Sequence, residues 1–149
     1  MIATILLTIC ILTCSCNTIT PFIYDGTVVR CSEAEFKLSL LGESAEVDII
    51  KPETLAGMHI SFGEKILCNY KGLETVLPQT ACEIPFDAQR AARLINTSAP
   101  VSRSEGENGD IIFTYSLDET RLLVYYDSQK HSVIGFFVGD RYYEIVTEN

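Results

Sequence analysis

Short runs of alternating polar and apolar residues, separated by glycine- and proline-bearing turns, recur along the chain after residue 24. This pattern restricts the fold more than any other feature, because period two belongs to half-buried strands. Glu35-Phe36-Lys37-Leu38-Ser39-Leu40 alternates in this way. Leu41-Gly42-Glu43-Ser44 is turn-like and Ala45–Ile50 resumes the alternation, so the two runs read as a hairpin. Thr27–Cys31 precedes them, and Met58–Phe62, Lys65–Tyr70 and Leu73–Leu77 follow. Pro52 cannot donate to a ladder, so Lys51–Gly57 is an interruption, read as a short helical turn closed by Gly57. Ile111–Ser116, Arg121–Asp127, Ser132–Val138 and Arg141–Thr147 complete the strands.

A single segment has helical periodicity. Asp87 is placed as its N-cap, and Ala88, Ala91, Ala92 and Ile95 follow at i, i+3, i+4 and i+7 spacing. Arg90 and Arg93 take the other side, Asn96–Pro100 ends the helix, and Val101–Asp110 reads as a polar loop. Together these runs predict an α+β domain of about nine strands on one large antiparallel sheet, with one main helix.

The first 24 residues carry no charge, while all 20 acidic and 11 basic residues follow Tyr24. Within that stretch an apolar run ends in Thr13-Cys14-Ser15-Cys16. A spanning helix needs about 20 apolar residues, and this run is shorter and interrupted by threonines. It reads best as an export signal over residues 1–16 with Cys16 as lipid-anchor site, Cys14 fitting less well. A plain cleaved signal and a retained anchor stand as alternatives, since no Lys or Arg precedes the run. Residues 17–24 form a tether and residues 25–149 one domain. The expected location is the extracytoplasmic face of a bacterial cell membrane, with the membrane as partner through the anchor.

The net charge of −9 argues against nucleic-acid binding, which needs a basic footprint. Cys31, Cys68 and Cys82 show no metal-ligand spacing and read as buried thiols, with a Cys31–Cys82 or Cys68–Cys82 disulfide as the alternative. No nucleophile motif, phosphate loop or dinucleotide fingerprint is present, and no cofactor is expected. Cys68 and His59 are the one thiol–imidazole pair that adjacent strands could bring together. The acidic stretch Glu105–Asp110 lacks the pattern of a calcium loop and reads as a solvated loop. The strands are apolar on both parities, as in Val133, Ile134, Phe136, Phe137 and Val138. Such a sheet needs cover on both faces, so it either curls on itself or lines an apolar cavity.

The central stretch Ile49-Ile50-Lys51-Pro52-Glu53-Thr54-Leu55-Ala56-Gly57-Met58-His59-Ile60, followed by Asn69-Tyr70-Lys71-Gly72-Leu73 and a strand ending at Pro78, resembles the LolA-like proteins of Gram-positive bacteria. That family belongs with the periplasmic lipoprotein carriers and the LppX/LprG-type lipoproteins. The resemblance covers residues 35–95 and more loosely the last strands. It implies a strongly curved antiparallel half-barrel with the main helix on its concave side, over a cavity that holds acyl chains without catalysis. Some relatives instead sense envelope stress through protein partners, so a cell-envelope interaction module is the alternative. This chain shows no long N-terminal helix before its first strands, which implies less lid. Leu38, Val47, Ile49, Ile60, Phe62 and Ile95 are expected to form the apolar interior and ligand site.

Overall fold

A computed structural model describes residues 18–147. The export signal over residues 1–16 and the anchor Cys16 lie outside the described residues. Eleven strands form one sheet: β1 Thr27–Cys31, β2 Ala34–Leu41, β3 Ser44–Lys51, β4 His59–Phe62, β5 Ile66–Tyr70, β6 Leu73–Leu77, β7 Ser102–Glu105, β8 Ile111–Leu117, β9 Thr120–Asp127, β10 Ser132–Val138 and β11 Arg141–Val146. Their spatial order is β6-β5-β4-β3-β2-β1-β11-β10-β9-β8-β7, antiparallel throughout. Two meanders therefore join through β1 and β11, leaving β6 and β7 as open edges. The helix α1, Glu83–Thr97, connects one edge to the other and touches β2, β8 and β10 on the way. It lies across the concave side of a strongly curved half-barrel, in an α+β fold.

Alternation decides which side chains meet the helix. Phe36 and Leu38 of β2, Val47 of β3, Phe113 and Tyr115 of β8, Val124 of β9, Phe136 of β10 and Tyr143 of β11 are all buried. They form one apolar cluster with Ala88, Ala91, Ala92 and Ile95 of α1. The alanine stripe explains the fit, because small side chains let a helix lie close to a sheet. Residues of opposite parity face outward. There Arg30 bridges Glu35 (2.9 Å) and Glu144 (3.1 Å) on neighbouring strands, and Lys51 reaches Glu35 at 3.3 Å. The Arg30 hydrogen bond holds the Glu35 carboxyl below the usual carboxylate range.

Three expectations need correction. The helix starts at Glu83, and Asp87 lies inside it rather than capping it. Pro85 is tolerated so near the start because the first-turn N–H groups have no helical partner anyway. Ser102–Glu105 is not loop but the edge strand β7, pairing from Ser102↔Thr114 to Glu105↔Ile111. It is exposed throughout, so no apolar alternation marks it. The segment 17–24 is only partly a tether, since Pro21 and Ile23 are packed into the body. Asn96 fixes it there: the Ile23 N–H donates to Asn96 Oδ1 at 2.8 Å, and Asn96 Nδ2 donates to the Ile23 carbonyl at 2.7 Å.

The interruption after β3 is a 3-10 turn, Glu53–Leu55, closed by Gly57 at φ +83. The β5–β6 hairpin turns through Lys71 and Gly72, both at positive φ, as a two-residue primed turn requires. The Tyr70 hydroxyl ties this hairpin back by donating to the Thr54 carbonyl at 2.7 Å. Among the described residues, no helix is long and apolar enough to cross a membrane.

Candidate functional site

The helix covers the concave face unevenly, and at its N-terminal end a cleft of about 340 Å³ remains. Ile49 of β3 and Ile60 of β4 form its floor. Pro52, Leu55 and Met58, held by the 3-10 turn, make one wall. Leu77, Ile84 and Pro85 make the other, and Lys51, Glu83 and Arg141 stand among the lining residues as its charges. The apolar lining comes from local sequence: the β3–β4 interruption projects Leu55 and Met58, and the early helix start brings Ile84.

Five of the six residues expected in the interior, all but Ile49, are buried in the packed cluster, and Ile60 borders the cleft as well. Leu38, Val47, Phe62 and Ile95, at 1%, 0%, 5% and 1% exposure, do not line the cleft. Ile49 and Ile60 do, with Ile49 half-buried. Leu55, Met58, Ile84 and Arg141 were not singled out by their spacing. The Pro52–Gly57 turn carried a signal for Leu55, because a turn between strands sets its apolar residue over the sheet end, and Met58 shares the parity of Ile60 in the Met58–Phe62 run. Ile84 was hidden by the late placement of the helix start.

Beside the cleft, Arg141 joins helix and sheet. Its guanidinium donates to Asp87 Oδ2 at 3.3 Å and to Glu83 Oε2 at 3.2 Å. Burial pushes the Asp87 carboxyl above its usual range, against the pull of Arg141. The Tyr143 hydroxyl, fully buried, interacts with this guanidinium. Burial drives it well above the ordinary phenol range. The same cause raises the Cys31 thiol.

The Cys68–His59 pair does not form. Cys68 faces Ile60 in the β4–β5 register and is buried, whereas His59 faces Asn69 and points to the other side of the sheet. His59 Nδ1 instead meets Asp48 Oδ1 at 2.8 Å, and its Nε2 lies 3.3 Å from Ser61 Oγ. Cys31, Cys68 and Cys82 are all buried free thiols. In the Glu105–Asp110 stretch the Gly106 N–H closes on the Asp110 carbonyl at 2.8 Å.

No protein-family model matches the chain, and no curated protein matches it. Among solved structures, the chain is similar to an uncharacterized conserved protein from Thermus thermophilus. That match has 14% identity and a TM-score of 0.43, and covers 80% of this chain and 74% of the other. It is also similar to a LolA superfamily protein from Nitrosomonas europaea, at 10% identity and a TM-score of 0.37, covering 80% of this chain and 66% of that one.

Proposed function

We propose that this is an exported, membrane-anchored lipoprotein whose LolA-like half-barrel binds or carries an acyl chain, without catalysis, in the cleft at the helix start. The observation that carries the reading is the cleft itself. It is apolar on its floor and both walls, about 340 Å³ in volume, and within the range of small-ligand pockets. The expected interior residues Ile49 and Ile60 form that floor. Its size suits one chain rather than several. The Cys16 anchor would hold the domain at the extracytoplasmic membrane face, where acyl chains are.

Lipid extraction and mass spectrometry of the purified full chain test this reading. A co-purifying species with an acyl chain, in about equal amount to the protein, is expected. No such species, and no uptake of a fluorescent fatty acid, would remove it.

A second reading is supported by the outer face of the sheet. Tyr125, Phe137 and Tyr142 contact one another in tilted pairs across β9, β10 and β11, with centroid distances of 5.9 and 4.8 Å. Tyr142 is 41% exposed. A surface of this kind suits an envelope protein partner, and a stoichiometric partner lost on Tyr142→Ser would favour it.

A further inference from the structure

A second groove lies at the opposite ends of β1 and β11 from the cleft. The cleft reaches Ala34 and Arg141, whereas the groove reaches Thr27, Val28 and Val146. Its volume is about 430 Å³. The segment entering β1 makes one wall, and its residues alternate. Pro21 and Ile23 are buried, while Phe22 and Tyr24 are 47% and 67% exposed. The two rings contact edge to face at 5.2 Å. Looseness does not explain their exposure, because Asn96 clamps both backbone polar groups of Ile23 between them. A fixed pair of exposed rings suits a membrane interface: the amphipathic Tyr24 ring fits the headgroup level and the apolar Phe22 ring the acyl boundary beneath it.

The groove has one charged lining residue, Lys37. In a chain of net charge −9, a lining free of carboxylates is the exception. Asp48 lies across the ladder from Lys37, but its carboxylate is engaged with His59. Lys37 leans instead toward Gly26, where its Cε would lie 3.2 Å from an added Cβ. Gly26, at φ +75, leaves room for it. Among the described residues no carboxylate forms an ion pair with Lys37. Mostly apolar walls, two exposed rings and an ammonium without an ion-pair partner among the described residues together suit the headgroup region of an anionic lipid.

We propose that this groove is a headgroup site for an anionic phospholipid of the membrane on which the chain is anchored. Phe22 and Tyr24 enter the interface, and the Lys37 ammonium meets the lipid phosphate. The proposal rests on the membrane-anchored reading but not on acyl-chain binding in the cleft.

The chain has no tryptophan, so Tyr24→Trp supplies a single reporter at the groove. The full-length variant is titrated with vesicles of phosphatidylcholine, with and without phosphatidylglycerol. A blue shift that is stronger with phosphatidylglycerol is expected. Adding Lys37→Gln should weaken that partition roughly fivefold, the effect of one Lys near an anionic surface. The preference should also fade with salt, since the screening length is about 8 Å at physiological ionic strength. No shift with either vesicle would overturn the proposal. Equal shifts with both vesicles, unchanged by Lys37→Gln, would assign binding to the apolar N-terminus instead. Emission already blue before vesicles are added would assign the groove to the chain itself. The same change on adding glycerol phosphate alone would assign it to a soluble anion. The mass of the Cys16 peptide tests the anchor separately: an unmodified Cys16 with a retained Trp shift removes the anchor and leaves the groove.

Discussion

The two ends of the single helix rest on the same sheet and do different things. Toward the C-terminal end, Ala91, Ala92 and Ile95 are fully packed, and Asn96 locks the incoming segment. Toward the N-terminal end, Glu83, Ile84 and Pro85 border an open cleft; there Pro85 and Ala88 are still buried, Phe86 meets Phe62 at 5.9 Å, and Arg141 adds ion pairs to Glu83 and Asp87. Side-chain size makes the difference. Alanines let the helix lie close to the sheet, whereas the larger Leu55, Met58 and Ile84 line open space beside the helix start. A half-barrel can thus be stabilised at one end and leave space for a ligand at the other.

Substitutions separate the two ends. Phe36→Ala strikes the packed cluster, where Phe36 is 0% exposed. Its cost is expected at about 3–5 kcal/mol in chemical denaturation, the range for removing a buried aromatic. Asn96→Ala leaves the Ile23 N–H and carbonyl without partners, for an expected loss of about 1–3 kcal/mol and faster proteolysis ahead of β1. Ile49→Ala, at the half-buried cleft floor, should cost about 2 kcal/mol or less, because no closed cavity is made, yet should reduce fatty-acid uptake. Equal stability losses for Phe36→Ala and Ile49→Ala would erase the distinction between the ends.

The smallest expected effect is a pH dependence. Burial raises the Asp87 carboxyl above its unfolded value, so its ionised form is the costly one in the folded chain. That cost is present at neutral pH and is relieved as pH falls through the raised folded value toward the unfolded one. Asp87→Asn should therefore compare best with the parent chain at pH 7, and lose ground to it as pH falls. Unfolding midpoints across this range check the sign. A gap that moves the other way would mean the Arg141 pair outweighs burial.

Period two survives in half-buried strands such as β2, and β1 and β6 have the bounds their composition gave, although β6 is an exposed edge. Edge strand β7 was not legible, since Ser102-Arg103-Ser104-Glu105 buries nothing and pairs on one side alone. The helix start lies five residues ahead of the expected one, because Cys82 offers no side-chain cap to mark it. That displacement also hid Ile84. Apolar identity singled out Leu38, Val47, Ile49, Ile60, Phe62 and Ile95 together. Which of them border open space depends on how closely the helix approaches, a tertiary property that no strand's periodicity contains.

Fluorescent fatty-acid titration of the full chain beside Ile84→Trp and Ala92→Ser tests the acyl-chain reading most directly. Trp at residue 84 would fill the open end, and Ser at residue 92 would perturb only the packed end. Saturable binding of one ligand per chain, lost in Ile84→Trp and kept in Ala92→Ser, is the expected result. Binding that survives Ile84→Trp, or no saturable binding by the parent chain, would contradict it.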